Sequence, residues 1–201
     1  MFGPDMIFAI PGLLLAMTVH EYAHARVAVA MGDFTPRMTG RLTLNPVAHI
    51  DPIGLLMLFF AQFGWAKPVM INARNFKDWR KGELYVSLAG PAANLVTAFI
   101  ALLLLAAVGG QAVWLYNVLK LIVLYNINFA VFNMIPLPPL DGSKVLMSFL
   151  PGEWAYKLAG IERYSFLILI VLVFTNVLGM IIFPIRAVLL NMMSNIVSLI
   201  F

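Results

Sequence analysis

Two histidines and a glutamate lie within five consecutive positions of an otherwise apolar stretch. His20, Glu21 and His24 sit between the apolar runs 6–17 and 27–30. Positions four apart share a helix face, so both imidazoles can point at one spot, as two nitrogen ligands of a tetrahedral zinc ion do. Glu21 projects beside them, where a general base on a zinc-bound water must be. Ionisable groups at membrane depth are costly and usually functional, so the pattern favours zinc-hydrolase chemistry over a chance match.

The third protein ligand of such a site has three candidates, because a catalytic zinc ion takes three protein ligands and keeps one position for water. Asp141 follows two prolines that force an extended run, and Gly142 permits a tight turn beside it. His49 and Asp51 lie in another polar loop, where turn formation and helix capping also explain them. Asp141 is the favoured ligand, and His49 and Asp51 stay open as ligands or as hydrogen-bond partners of the zinc histidines.

The composition is that of a multi-spanning membrane protein. Of the 201 residues, 62% are hydrophobic and only 11% are charged, with a mean hydropathy of +0.93, whereas a soluble domain is about a quarter charged. The chain has no cysteine, which excludes disulfides and thiolate metal ligands. The net charge of +4 comes from basic residues spread over loops, without a basic helix or aromatic platform, so a nucleic-acid partner is not expected.

Four long apolar segments predict membrane-spanning helices at residues 5–31, 83–108, 111–135 and 164–183, since a hydrocarbon core needs about 20 residues. A fifth segment, 185–201, is shorter and contains polar residues, so it either spans marginally or lies along the interface. Residues 52–64 are apolar but short, and basic residues on both flanks predict a re-entrant segment instead of a crossing. The expected fold class is an all-α polytopic membrane protein with about five to six membrane helices, the re-entrant segment included.

The basic residues also predict the orientation of the chain. With this topology all of the 13 Lys and Arg residues except Lys120 and Arg186 fall on one side, which the positive-inside rule makes cytoplasmic. His20 and His24 then approach the cytoplasmic end of the first span, and Asp141 emerges from the third span at the same depth. The active site is therefore expected near the cytoplasmic face of the cell membrane.

Two short stretches between the first spans, 38–44 and 66–72, are bounded by turn residues and predict extended segments. We expect them to form a small membrane-associated β element that is buried in protein or lines a wet cavity. Peptide hydrolysis needs an extended substrate, and the stretches near 38–44 and 69–73 can each offer an edge for strand addition. No repeat or linker is visible, so residues 1–201 are expected to form a single domain, with a catalytic core at about 5–150 and C-terminal helices at about 153–201.

Asn94 and Asn133 are candidates for stabilising the oxyanion of peptide hydrolysis, because a side-chain amide can donate a hydrogen bond to it. The alternative for each asparagine is a polar contact between membrane helices. The sequence does not decide between the two roles.

Together these motifs resemble the site-2 protease family of intramembrane zinc metalloproteases. Residues 20–24 (HEYAH) match the helix motif of the family, and residues 133–142 (NMIPLPPLDG) match its second signature. Residues 87–94 (SLAGPAAN) resemble the glycine-proline-asparagine element between them. Residues 44–54 resemble the loop of the small subgroup that has no PDZ domain.

The resemblance implies a core of three helices and one zinc ion per chain, held by His20, His24 and Asp141, with Glu21 as general base and acid. It implies an endopeptidase that cleaves transmembrane or membrane-adjacent peptide segments. Its partners would be a transmembrane protein or peptide and membrane lipid, and a homo-oligomer is compatible with the sequence.

Two other functions compete with proteolysis. A membrane metal-binding or transport protein can use broken helices and intramembrane histidines to handle an ion, and an inactive homologue can serve as a scaffold. Neither function requires a base beside two metal ligands. Glu21 therefore favours the peptidase.

Overall fold

The computed structural model describes residues 5–54, 56, 66–109 and 112–200, and most of them are helical. Two short 3-10 turns, Pro46–His49 and Ala73–Asn75, lie in the loops between the first helices. The α-helices of the described residues are α1 Asp5–Ala30, α2 Thr35–Met38, α3 Trp79–Val108, α4 Val113–Asn133, α5 Asp141–Phe149, α6 Gly152–Ala159, α7 Glu162–Phe174 and α8 Val177–Val197.

Among the described helices, three are long and apolar enough to cross a membrane, by length and composition: α3, α4 and α8. The chain is thus an all-α membrane protein, as its composition predicts. Helix α1 is 26 residues long and carries the ionisable motif, so its crossing and the count of five to six membrane helices stay predictions. The expected re-entrant segment 52–64 falls largely on residues 55 and 57–65, which lie outside the described residues.

Helices α1, α3 and α4 pack against one another and form the core that positions the motif. Glycine lets α1 approach α4 closely, because a Cβ atom on Gly12 would lie 3.1 Å from the carbonyl of Leu121. The apolar core lies between α3 and α4, and α8 packs on its outside. Its buried members are Ala98, Ala101, Leu119, Val123, Ile127 and Val131.

The predicted span 164–183 is wrong, because the chain breaks between α7 and α8. Helix α7 ends at Phe174, where the Thr175 hydroxyl donates to the carbonyl of Val171 at 2.7 Å. Asn176 then takes a left-handed conformation with φ of 58°, which asparagine tolerates better than most residues. The predicted boundary near 184 is also wrong, since Pro184 lies inside α8, as membrane helices allow.

The described residues contain no β-sheet, only an isolated antiparallel bridge between Ile50 and Ala66. Residues 38–44 do not form the expected strand: α2 ends at Met38 and Gly40 turns the chain with φ of 70°. The N–H groups of Gly40 and Arg41 donate to carbonyls of the preceding helical turn, those of Arg37 and Pro36, instead of to a neighbouring strand. Residues 67–72 have no regular secondary structure, and side-chain carboxylates accept some of their N–H groups.

Candidate metal centre

Three side chains from two helices converge on one point. His20 and His24 lie one turn apart on α1, and their Nε2 atoms are 2.9 Å apart. The Oδ2 atom of Asp141 lies 3.1 Å from each of them. All three residues are buried. The structure therefore brings together the two motif histidines and the favoured third ligand.

A close contact between two segments places Asp141. Helix α5 begins at Asp141, and a helix N-terminus favours a negative charge. The next residue packs against the end of α4, where a Cβ atom on Gly142 would lie 2.2 Å from the carbonyl oxygen of Met134. Only glycine lets the backbone come this close, so Gly142 allows the start of α5, with Asp141, to pack against the end of α4.

Hydrogen bonds to the other ring nitrogens fix the tautomers of both histidines. His24 Nδ1 lies 2.7 Å from the carbonyl oxygen of Val86, which can only accept, so His24 carries a proton on Nδ1. His20 Nδ1 lies 2.8 Å from Asn94 Oδ1. The Asn94 amide nitrogen donates to the Ala16 carbonyl and to Asn126 Oδ1, which leaves its oxygen to accept from His20. Neutral imidazoles therefore present bare Nε2 lone pairs to Asp141.

This arrangement fits a metal cation. Two lone pairs and a carboxylate oxygen face one another with no proton between them, and Asp141 Oδ2 is buried without a hydrogen-bond donor. A bound cation would occupy the space between these atoms and pair with Asp141 as the anionic carboxylate that metal binding requires. These three atoms form the His/Cys/Asp/Glu cluster able to hold a metal ion among the described residues. Two imidazoles, one carboxylate and an open side match a catalytic zinc site.

Glycine on α3 provides the room for the two imidazoles. A Cβ atom on Gly90 would lie 2.6 Å from His20 Nδ1 and 2.6 Å from His24 Nε2, well inside van der Waals contact. Any other residue at this position would push the rings away from their shared point. The glycine of the SLAGPAAN stretch thus has a steric role at the metal centre.

Glu21 lies beside the cluster and faces the same cavity. Its Oε2 atom accepts a hydrogen bond of 2.9 Å from the backbone N–H of Val69, so one carboxylate oxygen is fixed against the loop. The cavity has a volume of about 750 Å³ and a mostly apolar wall that includes His20, Glu21, His24 and Asp141. It can admit a peptide segment to the metal centre.

The other candidates lie in different places. Asn133 lines this cavity, and its amide nitrogen donates to the Phe129 carbonyl at 2.9 Å. Asn94 is fully buried behind His20. Asp51 also lines the cavity, and it caps a turn by accepting from the Gly54 N–H at 2.8 Å. His49 is fully buried and bonds through Nε2 to the Thr43 carbonyl at 2.9 Å, so it is not part of the metal cluster.

The sequence did not assign several contributors to the site, and it indicated Asn126 only as a contact between membrane helices. Asn126 extends the series of hydrogen bonds from His20 through Asn94 into α4. The sequence feature that points to Asn126 is a polar residue inside an apolar helix. The Val86 carbonyl and the Val69 N–H are backbone groups, for which the sequence gives no signal. Helix α7 adds one wall of the cavity through residues at helical spacing, namely Glu162, Ser165, Phe166 and Leu169.

Comparisons with known proteins identify relatives of this chain. The model of Peptidase family M50 matches residues 109–178. The chain is 36% identical over 187 residues to "Putative zinc metalloprotease YwhC" of Bacillus subtilis, which covers 89% of this chain and 85% of the relative. It is 34% identical to "Putative zinc metalloprotease Rip2" of Mycolicibacterium smegmatis, over 86% of this chain and 69% of the relative. No solved structure matches the chain.

Site and relatives together define a zinc metalloprotease built on membrane helices. The chain belongs to Peptidase family M50, the site-2 proteases. The resemblance of its motifs to that family is thus confirmed.

Proposed function

We propose that this protein is a zinc-dependent intramembrane endopeptidase with one zinc ion per chain, which cleaves transmembrane or membrane-adjacent peptide segments. The convergence of His20, His24 and Asp141 at the wall of a peptide-sized cavity, with Glu21 beside them, carries the proposal. A transporter needs no base at this position, and an inert scaffold needs no cavity. The geometry therefore favours hydrolysis over the alternative of metal transport.

Glu21 is the proposed general base and acid. Zinc, when bound, lowers the pKa of a coordinated water towards ~7 and polarises a carbonyl group. The Val69 N–H holds Oε2 of Glu21, which leaves the other carboxylate oxygen to take a proton from the attacking water. Glu21 then returns that proton to the amine that leaves. The mostly apolar wall of the cavity keeps bulk water away from the bound peptide.

The two asparagines have different proposed roles. Asn133 lines the cavity, and the amide hydrogen that is not donated to Phe129 is proposed to support the oxyanion of the scissile peptide. Asn94 has both amide hydrogens donated and its oxygen on His20. Asn94 therefore acts as a positioning residue for the His20 ring.

The extended segment 66–72 is the proposed docking edge for substrate. Ala66, Pro68, Val69 and Ile71 line the cavity beside the metal cluster, and Met70 is 61% exposed. A transmembrane helix hides its amides and must unwind before cleavage, and pairing with such an edge stabilises the unwound form. Hydrogen exchange of residues 69–71 should slow when a Glu21→Gln variant binds an uncleaved transmembrane peptide, and unchanged exchange would exclude this edge.

The chain is proposed to cross the cell membrane several times, with the active site near the cytoplasmic face and membrane lipid around the apolar helices. Residues 26–81 and 141–163 then face the cytoplasm, while residues 109–110 face outside. Thr39→Cys, Gly110→Cys and Gly152→Cys introduce single thiols into the cysteine-free chain without removing a basic residue. An impermeant thiol reagent on intact cells should label only Gly110→Cys, and labelling of the other two instead would invert the orientation.

The Glu21→Gln variant tests the proposed function. It removes the base but none of the three metal ligands, and the amide oxygen of glutamine can still accept from the Val69 N–H. We expect zinc content to stay at that of the parental protein while cleavage falls by about 10² to 10⁴, the usual contribution of a general base. Turnover near the parental rate in purified protein would exclude the role of Glu21, and zinc-dependent transport without cleavage would favour the alternative.

A further inference from the structure

Asp33 is a fully buried carboxylate outside the metal centre. It lies three residues beyond the end of α1, with 0% of its surface exposed. No lysine or arginine forms an ion pair with it among the described residues. A buried carboxylate without a cation is costly unless hydrogen bonds compensate it.

Hydrogen bonds from two segments provide that compensation. Oδ1 of Asp33 accepts from the Thr35 hydroxyl at 2.6 Å, the Thr35 N–H at 3.1 Å and the Asn75 side-chain amide at 2.7 Å. Oδ2 accepts from the backbone N–H of Asn72 at 2.7 Å. Burial raises the pKa of Asp33, but these donors lower that pKa by more, so the group is ionised at neutral pH. Charge-assisted bonds of this kind are the stronger ones in proteins.

The partner segment is the one that runs past the metal centre. The Lys67 N–H bonds to the His49 carbonyl at 2.8 Å, the Val69 N–H bonds to Glu21, and the Asn72 N–H bonds to Asp33. Glu21 thus holds the middle of the segment at Val69, and Asp33 holds its end at Asn72. Gly32 allows the close approach, because its φ is 108° and a Cβ atom there would lie 3.2 Å from the Asn75 carbonyl oxygen.

We propose that Asp33 is a positioning residue that fixes residues 69–72 across the catalytic cavity, so that a substrate peptide meets a preformed edge beside Glu21. The inference rests on the proposed function, in which this segment docks the substrate. A preformed edge avoids the entropic cost of ordering the segment at each encounter. Loss of the Asp33 contacts should therefore weaken substrate capture and leave the metal ligands and the base in place.

An exchange of partners tests this role. Asp33→Asn turns a side-chain NH₂ group towards the donors, and Asn75→Asp places two carboxylates face to face. In the Asp33→Asn/Asn75→Asp double variant, the new amide can donate to residue 75 while its oxygen accepts from the Asn72 N–H, and of the original donors only the Thr35 N–H loses its acceptor. Thr35→Val is the matched control, since it removes one bond to Asp33 Oδ1 without touching residues 72–75. All variants are studied as the full zinc-loaded chain in detergent micelles.

Two readouts separate positioning from general stability. The first is hydrogen exchange of residues 66–76. The second is cleavage of a fluorogenic peptide with an apolar segment of about 20 residues. For Asp33→Asn we expect faster exchange and a KM raised about tenfold, the size of one charged hydrogen bond, with kcat and zinc content near the parental values. The double variant should restore most of the exchange protection and most of the parental KM, because only the Thr35 N–H stays without its acceptor, and Thr35→Val should change neither readout.

Parental exchange and parental KM in Asp33→Asn would overturn the inference. Joint loss of zinc and kcat, without rescue in the double variant, would do the same, because it would show a structural role only. If the parental protein does not cleave the peptide, the proposed function fails for this substrate class. The exchange readout alone then decides: faster exchange that the double variant reverses supports the role of Asp33, and unchanged exchange overturns it.

Discussion

The chain places its three histidines in two environments that differ in which ring nitrogen is engaged. His20 and His24 bond through Nδ1 to an amide oxygen and a carbonyl, which leaves both Nε2 atoms bare and directed at Asp141. His49 bonds through Nε2 to the Thr43 carbonyl, and its Nδ1 atom is buried with no partner. Burial is nearly the same for all three residues, so burial does not distinguish a ligand from a structural histidine.

The hydrogen bond to the second ring nitrogen makes that distinction. A ring whose Nδ1 proton is held by an acceptor is oriented and has its Nε2 lone pair ready for a metal. A ring whose Nε2 proton is donated to a loop carbonyl has only Nδ1 left for a metal. The metal cluster among the described residues does not include His49. His49 instead ties its loop to the extended segment through its own carbonyl and the Lys67 N–H.

Metal analysis of alanine variants tests this comparison with the largest expected effect. His20→Ala, His24→Ala or Asp141→Ala should reduce bound zinc from about one per chain to near zero, because two remaining ligands do not hold a catalytic zinc ion. His49→Ala should keep its zinc. It should lose about 1–2 kcal/mol of stability, because the side-chain hydrogen bond to the Thr43 carbonyl is lost. Full zinc stoichiometry in Asp141→Ala, or zinc loss in a folded His49→Ala protein, would reverse the assignment of the third ligand.

Gly90→Ala sharpens the comparison, since it changes the space around the two metal histidines without removing a ligand. The new methyl group would overlap both rings, which Asn94 and Val86 hold from behind. We expect zinc affinity to fall at least tenfold, the lower end of effects seen when ligand orientation is disturbed. Gly152→Ala is the control, because a Cβ atom there meets nothing within 4 Å. Equal zinc affinity in the two variants would contradict the steric role of Gly90.

The three residues of the metal cluster and Glu21 could be proposed as site residues from the sequence because their chemistry is rare in this setting. Ionisable side chains in apolar segments, four residues apart or beside a proline turn, have few other uses. The histidine tautomers could not be predicted, since they depend on the Val86 carbonyl and on which atom of Asn94 faces His20. Backbone groups and amide orientation leave no trace in composition or spacing.

The fold, like the metal centre, could be predicted from the sequence only in part. The first, second and third long helices begin and end near the predicted residues because hydropathy changes sharply there. The break at Asn176 was missed because Thr175 and Asn176 are two polar residues inside a long apolar run, and their average hydropathy resembles a continuous span. The expected strand at 66–72 does not form for another reason: the carboxylates of Glu21 and Asp33 accept from the N–H groups of Val69 and Asn72, and no sequence pattern indicates these two contacts.

The smallest expected effect concerns the residue behind His20. Asn126 is fully buried on α4, accepts from the Asn94 amide at 2.9 Å and donates to the Ile122 carbonyl at 2.9 Å. Asn128, two residues on, has a buried Oδ1 atom without a partner. The two asparagines of one helix thus differ as the histidines do, in whether a hydrogen bond connects them to the metal centre.

Asn126→Leu should weaken zinc binding by about tenfold, because the Asn94 amide loses one of its two acceptors and holds the His20 ring less firmly. Asn128→Leu replaces an unsatisfied polar group with an apolar one, so zinc affinity should not change and stability should be equal or higher. Competition with a zinc chelator of known affinity measures both variants, and thermal unfolding checks that each is folded. Equal zinc affinity in the two variants would mean that the tautomer of His20 is held by Asn94 alone, and that the chain of hydrogen bonds relevant to the metal ends there.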